Sequence, residues 1–528
     1  MRGVTAGLTV ALLAAAAMPA AAQKPGGTLR IFDSNGPASM SIHEESTRYA
    51  ITPAMAVFNN LVLFDQHVPQ NTFATIRPEL AESWVWDSAG TALTFKLRSG
   101  VKWHDGKPFT AADVKCTWDL LAGRASEKFR VDPRKSWYRN LDDVSVDNDH
   151  QVTFHLKAPQ PSLLALLASG ASPVYPCHVT PAQMRQHPIG TGPFKFVEYK
   201  PNESIKLVRN PDYWKPGRPY LDAIEYSIIP NPATQLLAFA AGKFDMSFPY
   251  AVSIPLMRDV AKQAPEAICD LTLDNGSRTL IINQSKAPFD NPRLRRAMAL
   301  TLDRKAFIDI LTEGHGVVGG AMLPPPEGVW GMPADQLATL PGYDGDVARR
   351  RAEARKIMED LGYGPDKRLT VSVTTRNIPG YRDPTVILID QLKEIYIDGQ
   401  LDAVDTPVYF PKLLRKDYTV GLTVTETALD DPDQMFFENY VCGAERNYTG
   451  YCNPEFDALV ARQSAESDFA KRRDLVWQAE RKLADDGVRP VIFYTRGATC
   501  RTPRVKGMTL MVNSLFNGWR MEDIWLDQ

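Results

Sequence analysis

"AESWVWDSAGTALTFKLRSGVKWHDGKPFTAADV", residues 81–114, sets His104 beside Asp105 with Trp103 next to them. A histidine and an aspartate together are the usual material of acid–base chemistry. The pattern around them assigns each polar residue a structural duty instead. "LTFKLRSGVKW" (93–103) alternates apolar and polar residues and reads as a hairpin around Ser99-Gly100. Asp105-Gly106 is a strong turn signal. Thr110-Ala-Ala-Asp113 has the spacing of a capping box and starts a helix over "AADVKCTWDLL" (111–121). Sequential neighbours on a strand point to opposite faces, which is poor geometry for a catalytic dyad. The stretch reads as scaffold.

The same alternation recurs at "GGTLRIF" (26–32), "HQVTFHLK" (150–157), "ESIKLVRN" (203–210) and "AIEYSII" (223–229). Helical spacing appears between these strands, at "NPATQLLAFAAGKFD" (231–245) and "NPRLRRAMALTLDRKAFIDILTEG" (291–314). Asn-Pro opens both segments, with Pro at a first-turn position where its missing N–H costs nothing. "PEFDALVARQSAESDFAKRRDLVWQAERKLADDG" (454–487) reads as two helices. Interleaved strands and helices make the class α/β. A single core stops growing near about 250–300 residues, so 528 residues call for at least two lobes.

Composition is that of a globular chain, 44% hydrophobic and 23% charged. A formal net charge of −2 supplies no basic field for nucleic acid. The basic run "RRRAEARK" (349–356) reads as a solvated helix face. The first residues, "MRGVTAGLTVALLAAAAMPAAAQ", combine one Arg, a short apolar run and a small-residue end. They read as a secretory signal removed after Ala22. No cysteine follows the run, so a soluble periplasmic product is expected.

Export permits disulfides. Cys442 and Cys452 bracket the turn-rich "GAERNYTGY" and are expected to pair. Pairing among Cys116, Cys177, Cys269 and Cys500 stays open, because sequence alone does not fix connectivity. Catalytic motifs are wanting. "GHGVVG" (314–319) follows a helix instead of a strand, and "GTGPF" (190–194) lacks the Lys-Ser/Thr of a phosphate loop. No G-x-S-x-G occurs, and the eight histidines form no H-x-x-x-H pair, so neither metal nor cofactor is expected.

Several long motifs in order resemble the bacterial extracellular solute-binding proteins of family 5, the peptide- and nickel-type binding proteins of ABC importers. They are residues 81–114, "IGTGPFKFVEYKPNESIKLVRNPDYWKPGRPYLDAIEY" (189–226), "NPATQLLAFAAGKFD", "RLRRAMALTLDR" and "CNPEFDALV" (452–460). The resemblance implies a two-lobed type II (Venus-flytrap) periplasmic binding protein with an extra subdomain on the first lobe. Its divisions are a signal at 1–22, a first lobe at 23–281 with the subdomain near 60–180, a second lobe at 282–496, and a return to the first lobe at 497–528. It implies a monomer that captures a peptide-like or other small organic solute, holds it in the inter-lobe cleft without chemistry, and delivers it to inner-membrane permease subunits. An exported hydrolase, or a metal-chelate or haem carrier of the same fold, is the alternative.

The resemblance also suggests residues for the cleft. Peptide binders carry Trp-x-x-Asp ahead of Asp-Pro, and that Asp holds the peptide amino group. Aligning on Asp431-Pro432 puts Thr425 and Ala428 at the two key positions, so both residues are absent here. Asp430 or Asp431 is then the substitute. Arg376, in "TVSVTTRNIPG" (370–380), falls where dipeptide binders keep an Arg for the ligand carboxylate, a task suited to its planar fork. Tyr409 and Trp519 resemble cleft aromatics, and Asn35 and Ser39 follow the first strand where ligand is often touched.

Overall fold

The computed structural model describes residues 23–527; the signal expected at 1–22 lies outside them. Ten strands form one continuous sheet. From one edge the order is Ile397–Val404, Leu369–Arg376, Val420–Glu426, Ile268–Ile282, Val491–Arg501, Met246–Ser247, Thr28–Asp33, Ala223–Ile228, Ser204–Arg209 and Phe194–Lys200. Alternation sets the faces: in Ser204–Arg209, Ile205 and Leu207 are buried while Val208 is exposed. Two cores flank the long central strands. One gathers Leu29, Ile31, Phe58, Phe95, Trp103 and Trp118, joined by Leu515, Phe516 and Leu526 from the C-terminal end. The other gathers Leu280, Leu294, Phe307, Leu388, Leu392 and Phe493.

Ile268–Ile282 and Val491–Arg501 are antiparallel and carry the sheet between the two cores. Their pairing runs from Ile268↔Arg501 to Leu273↔Arg496, lapses, and resumes at Ser277↔Tyr494. Cys269 and Cys500 face each other in this ladder and are joined. Cys116–Cys177 and Cys442–Cys452 are the other bridges among the described residues. No described helix is long and apolar enough to cross a membrane.

Residues 81–114 feed a separate antiparallel sheet, ordered Ala81–Trp86, Ala92–Leu97, Gln151–Leu156, Leu141–Asn148. The hairpin expected at Ser99-Gly100 is absent. The chain turns earlier, at Asp87–Gly90, where the Asp87 carboxylate accepts the Thr91 and Ala92 N–H groups at 2.8 and 3.0 Å. After Leu97 the backbone leaves the sheet, and only the bridge Lys102↔Pro108 spans the Asp105-Gly106 turn. Gly106 has φ +88°, a conformation that suits glycine. The helix start is as its spacing predicts: Asp113 accepts the Thr110 N–H at 3.0 Å, and it also takes the Trp103 indole N–H at 3.3 Å.

His104 and Asp105 do not act together. Asp105 meets His178 at 2.7 Å. His104 sits in the 190–192 loop, its Nε2 3.0 Å from the Gly192 carbonyl and its Nδ1 accepting the Gly190 N–H at 3.3 Å. Burial pushes the imidazole down to about 4, so it is neutral at pH 7. The glycines are required by packing: a β-carbon at Gly190 would stand 1.9 Å from the Val57 carbonyl oxygen. His104→Ala is therefore expected to cost about 1–3 kcal/mol in denaturant titrations, by stranding two backbone groups, while leaving solute affinity unchanged. Lost affinity at unchanged stability would contradict this scaffold role.

Candidate functional site

The ends of several strands converge on one cleft of about 430 Å³, lined by Arg48, Tyr49, Asp274, Arg278, Arg376 and Glu426, among others. Clefts at the ends of strands in open α/β sheets are the common place for a ligand. Arg376 is the last residue of its strand and is 2% exposed. Its Nε donates to Thr406 Oγ1 at 2.8 Å, while its Nη2 is buried with no partner among the described residues. The guanidinium lies 5.4 Å from the Tyr49 ring centroid and 5.5 Å from those of Tyr381 and Phe410. Aromatic faces stabilise the cation but leave its N–H directions open.

Arg48 stands 5.3 Å from the Tyr49 ring, and its Nε is also buried without a partner among the described residues. Asp33, Asp274 and Glu426 lie within its electrostatic reach, yet among the described residues it forms an ion pair with none of them. Desolvation raises the Asp33 and Glu426 carboxyls, each to about 7, against the lowering influence of Arg48. Arg278 is committed within the protein: it bonds Asp274 Oδ2 at 3.1 Å and the Gly276 carbonyl at 2.7 Å. No described group of three or more His, Cys, Asp or Glu residues is arranged to hold a metal ion.

The family model for bacterial extracellular solute-binding proteins, family 5, matches residues 75–447. The chain belongs to this family. Family 5 proteins are the substrate-binding components of ABC importers, and that is the role of this chain. Heme-binding protein A of Haemophilus influenzae is 27% identical over 499 residues, covering 88% of this chain and 86% of the relative. The oligopeptide-binding protein OppA of Bacillus subtilis is 26% identical over 516 residues, covering 88% and 89%. The structure of AppA from Bacillus subtilis, solved with a nonapeptide, superposes with a TM-score of 0.83 at 22% identity over 96% of this chain and 100% of that one.

The residues that family 5 resemblance suggests fare differently. Arg376 lines the cleft. Asn35 does not line it but donates from Nδ2 at 3.1 Å to the Thr406 hydroxyl that Arg376 also uses. The others do not line this cleft. Tyr409 is wholly buried, its OH donating to the Leu422 carbonyl at 2.9 Å, and it backs the cleft residue Tyr381 at 6.0 Å between ring centroids. Trp519 lies in the first core, its indole N–H on the Leu515 carbonyl at 3.1 Å. Asp431 caps the helix Pro432–Asn439 and binds Arg472 through both oxygens at 2.7 and 2.9 Å. Asp430 accepts the Val329 N–H at 2.9 Å. Ser39 borders a separate depression with Arg130 and Arg185 and donates to Glu45 at 3.3 Å. Sequence reasoning missed Arg48, Asp274, Arg278 and Glu426. The available signal was a charged residue at the end of, or inside, an apolar strand run, as in "VGLTVTE" (420–426).

Asp33 supplies a test of the cleft electrostatics. Its carboxyl rises from 3.8 to about 7, so the folded state keeps a proton that the unfolded chain has released across that interval. Its stabilising effect is full below about pH 4 and is lost as pH rises through about 7. Asp33→Asn retains an oxygen for the Ser34 N–H and removes the ionisation. Calorimetry should find the variant more stable than wild type by about 2–4 kcal/mol at pH 8, shrinking to nothing near pH 4. A difference that does not change with pH would contradict the assignment.

Proposed function

We propose that the chain is exported by a cleaved signal at residues 1–22 and captures a compact, carboxylate-bearing organic solute in the periplasm. The solute is bound between a first lobe at 23–281 with its C-terminal return at 497–528 and a second lobe at 282–496, the subdomain near 60–180 packing on the first. It is released unmodified to the permease subunits. The observation that carries this reading is Arg376, a guanidinium buried in the cleft with Nη2 lacking any acceptor among the described residues. An unpaired buried charge is costly, and a carboxylate is the partner its planar fork fits best. Arg48 stands in the same cleft with a second buried, unpartnered nitrogen and supports an anionic group there. The oligopeptide-binding relatives make a peptide-like solute the nearest chemical class.

A hydrogen bond to a charged group contributes about 1.5–3 kcal/mol. Arg376→Met is therefore expected to weaken binding of the co-purified solute about ten- to hundredfold in titration calorimetry, with the melting temperature of the solute-free protein held or raised. Unchanged affinity would remove Arg376 from the site.

A further inference from the structure

Away from the solute cleft, a second cavity of about 30 Å³ lies between the helix Phe469–Asp485, the start of Val491–Arg501 and the loop at 320–321. It shares no lining residue with the cleft. Arg304, Arg489 and Glu480 line it, exposed by only 5, 2 and 4%. Each keeps one buried polar atom without a partner among the described residues: Arg304 Nη2, Arg489 Nε and Glu480 Oε2.

The bonds these arginines do make go to neutral groups. Arg304 donates from Nε to the Val491 carbonyl at 2.8 Å and from Nη1 to the Gly342 carbonyl at 2.6 Å, and lies 3.7 Å from the Tyr343 ring centroid. Arg489 donates to Asn439 Oδ1 at 3.0 Å and to Thr425 Oγ1 at 2.7 Å. Neither forms an ion pair among the described residues. Desolvation lowers the Arg304 pKa, opposed by Tyr343 and by no carboxylate. Carbonyls and hydroxyls satisfy hydrogen bonds but supply no counter-charge, which a buried cation needs. Glu480 does not supply it. Its Oε1 accepts the Met322 N–H at 2.9 Å, burial raises its carboxyl to about 7, and the cation favouring its ionised form is Arg481.

We propose that this cavity is a buried site for a monatomic anion of chloride size, held by Arg304 Nη2 and Arg489 Nε with Glu480 Oε2 beside it. A water would occupy the three atoms and leave both positive charges unanswered. The space admits about two waters, which suits a single ion better than a polyatomic one. Arg489 also donates to Thr425, so the ion braces the strand that ends at the cleft residue Glu426.

Glu480 makes the site sensitive to pH. It is faced by the Met322 and Ala321 N–H groups, by the phenols of Tyr343, Tyr440 and Tyr494, and by Arg481 of its own helix. Below about pH 7 its carboxyl is protonated and donates to the anion; above, the carboxylate repels it. With the protonated form alone competent, affinity falls about tenfold from pH 6 to pH 8.

The test uses the purified chain. Crystals soaked in sodium bromide, with data collected at the bromine absorption edge, should show an anomalous peak in this cavity. At equal ionic strength the melting temperature should be higher in chloride or bromide than in gluconate, which is too large to enter. The halide concentration giving half of that shift should be about tenfold lower at pH 6 than at pH 8. Glu480→Gln keeps an oxygen for the Met322 N–H and adds an amide donor, so its halide response should match wild type at pH 6 and stay the same at pH 8. Arg304→Met should abolish the peak; should that variant not fold, the bromide peak and Glu480→Gln still decide. Ordered water without anomalous signal, bromide confined to the outer surface, or equal melting in chloride and gluconate overturns the site. A wild-type halide response that ignores pH overturns the role given to Glu480.

Discussion

A guanidinium held out of water must be answered, and at Arg376 the protein answers only part of it. Thr406 takes Nε at 2.8 Å, three aromatic rings surround the cation, and Nη2 is left without an acceptor. Arg472, by contrast, carries a matched carboxylate, Asp431, at 2.7 Å. Both arginines are buried, and they differ in how much of the guanidinium the fold satisfies. One is saturated within the fold and holds a helix start in place. The other lines the cleft and keeps one buried nitrogen unpartnered among the described residues.

The sheet makes that arrangement possible. Two long antiparallel strands cross between the cores, and their ladder lapses over Asp274–Gly276, next to the cleft. A regular ladder holds side chains to two faces. The lapse frees Asp274 to line the cleft, and the Arg278 bonds to Asp274 and to the Gly276 carbonyl fix its geometry. The Thr406 hydroxyl, shared by Asn35 and Arg376, links the end of Thr28–Asp33 to the end of Leu369–Arg376, strands from opposite halves of the sheet. Closure around a solute is a hinge motion in proteins built this way.

Local chemistry was legible in the sequence, and long-range register was not. Alternation located the strands at 204–209 and 223–228, and Asn-Pro marked the helix starts at Pro232 and Pro292. The Asp105-Gly106 turn and the Thr110–Asp113 cap follow from chemistry within a few residues. Ser99-Gly100 carried an equally good turn signal, but Asp87 closed its turn first with bonds to Thr91 and Ala92. Arg376 was singled out by the family resemblance, and the structure sets it at a strand end on the cleft. Tyr409 and Trp519 lie buried off the cleft, because burial of an aromatic ring is decided by what packs on it, and that is set far away in sequence. The Asp274–Glu426 juxtaposition depends on the pairing Gly276↔Glu426, which no local pattern announces.

The central claim is that the cleft holds an intact, compact, carboxylate-bearing solute. Mass spectrometry of the small molecules released when the purified protein is denatured tests it most directly. The account predicts one solute per chain, with a free carboxylate and no sign of cleavage or modification. A stoichiometric solute without an acidic group, or one recovered in hydrolysed form, would contradict it.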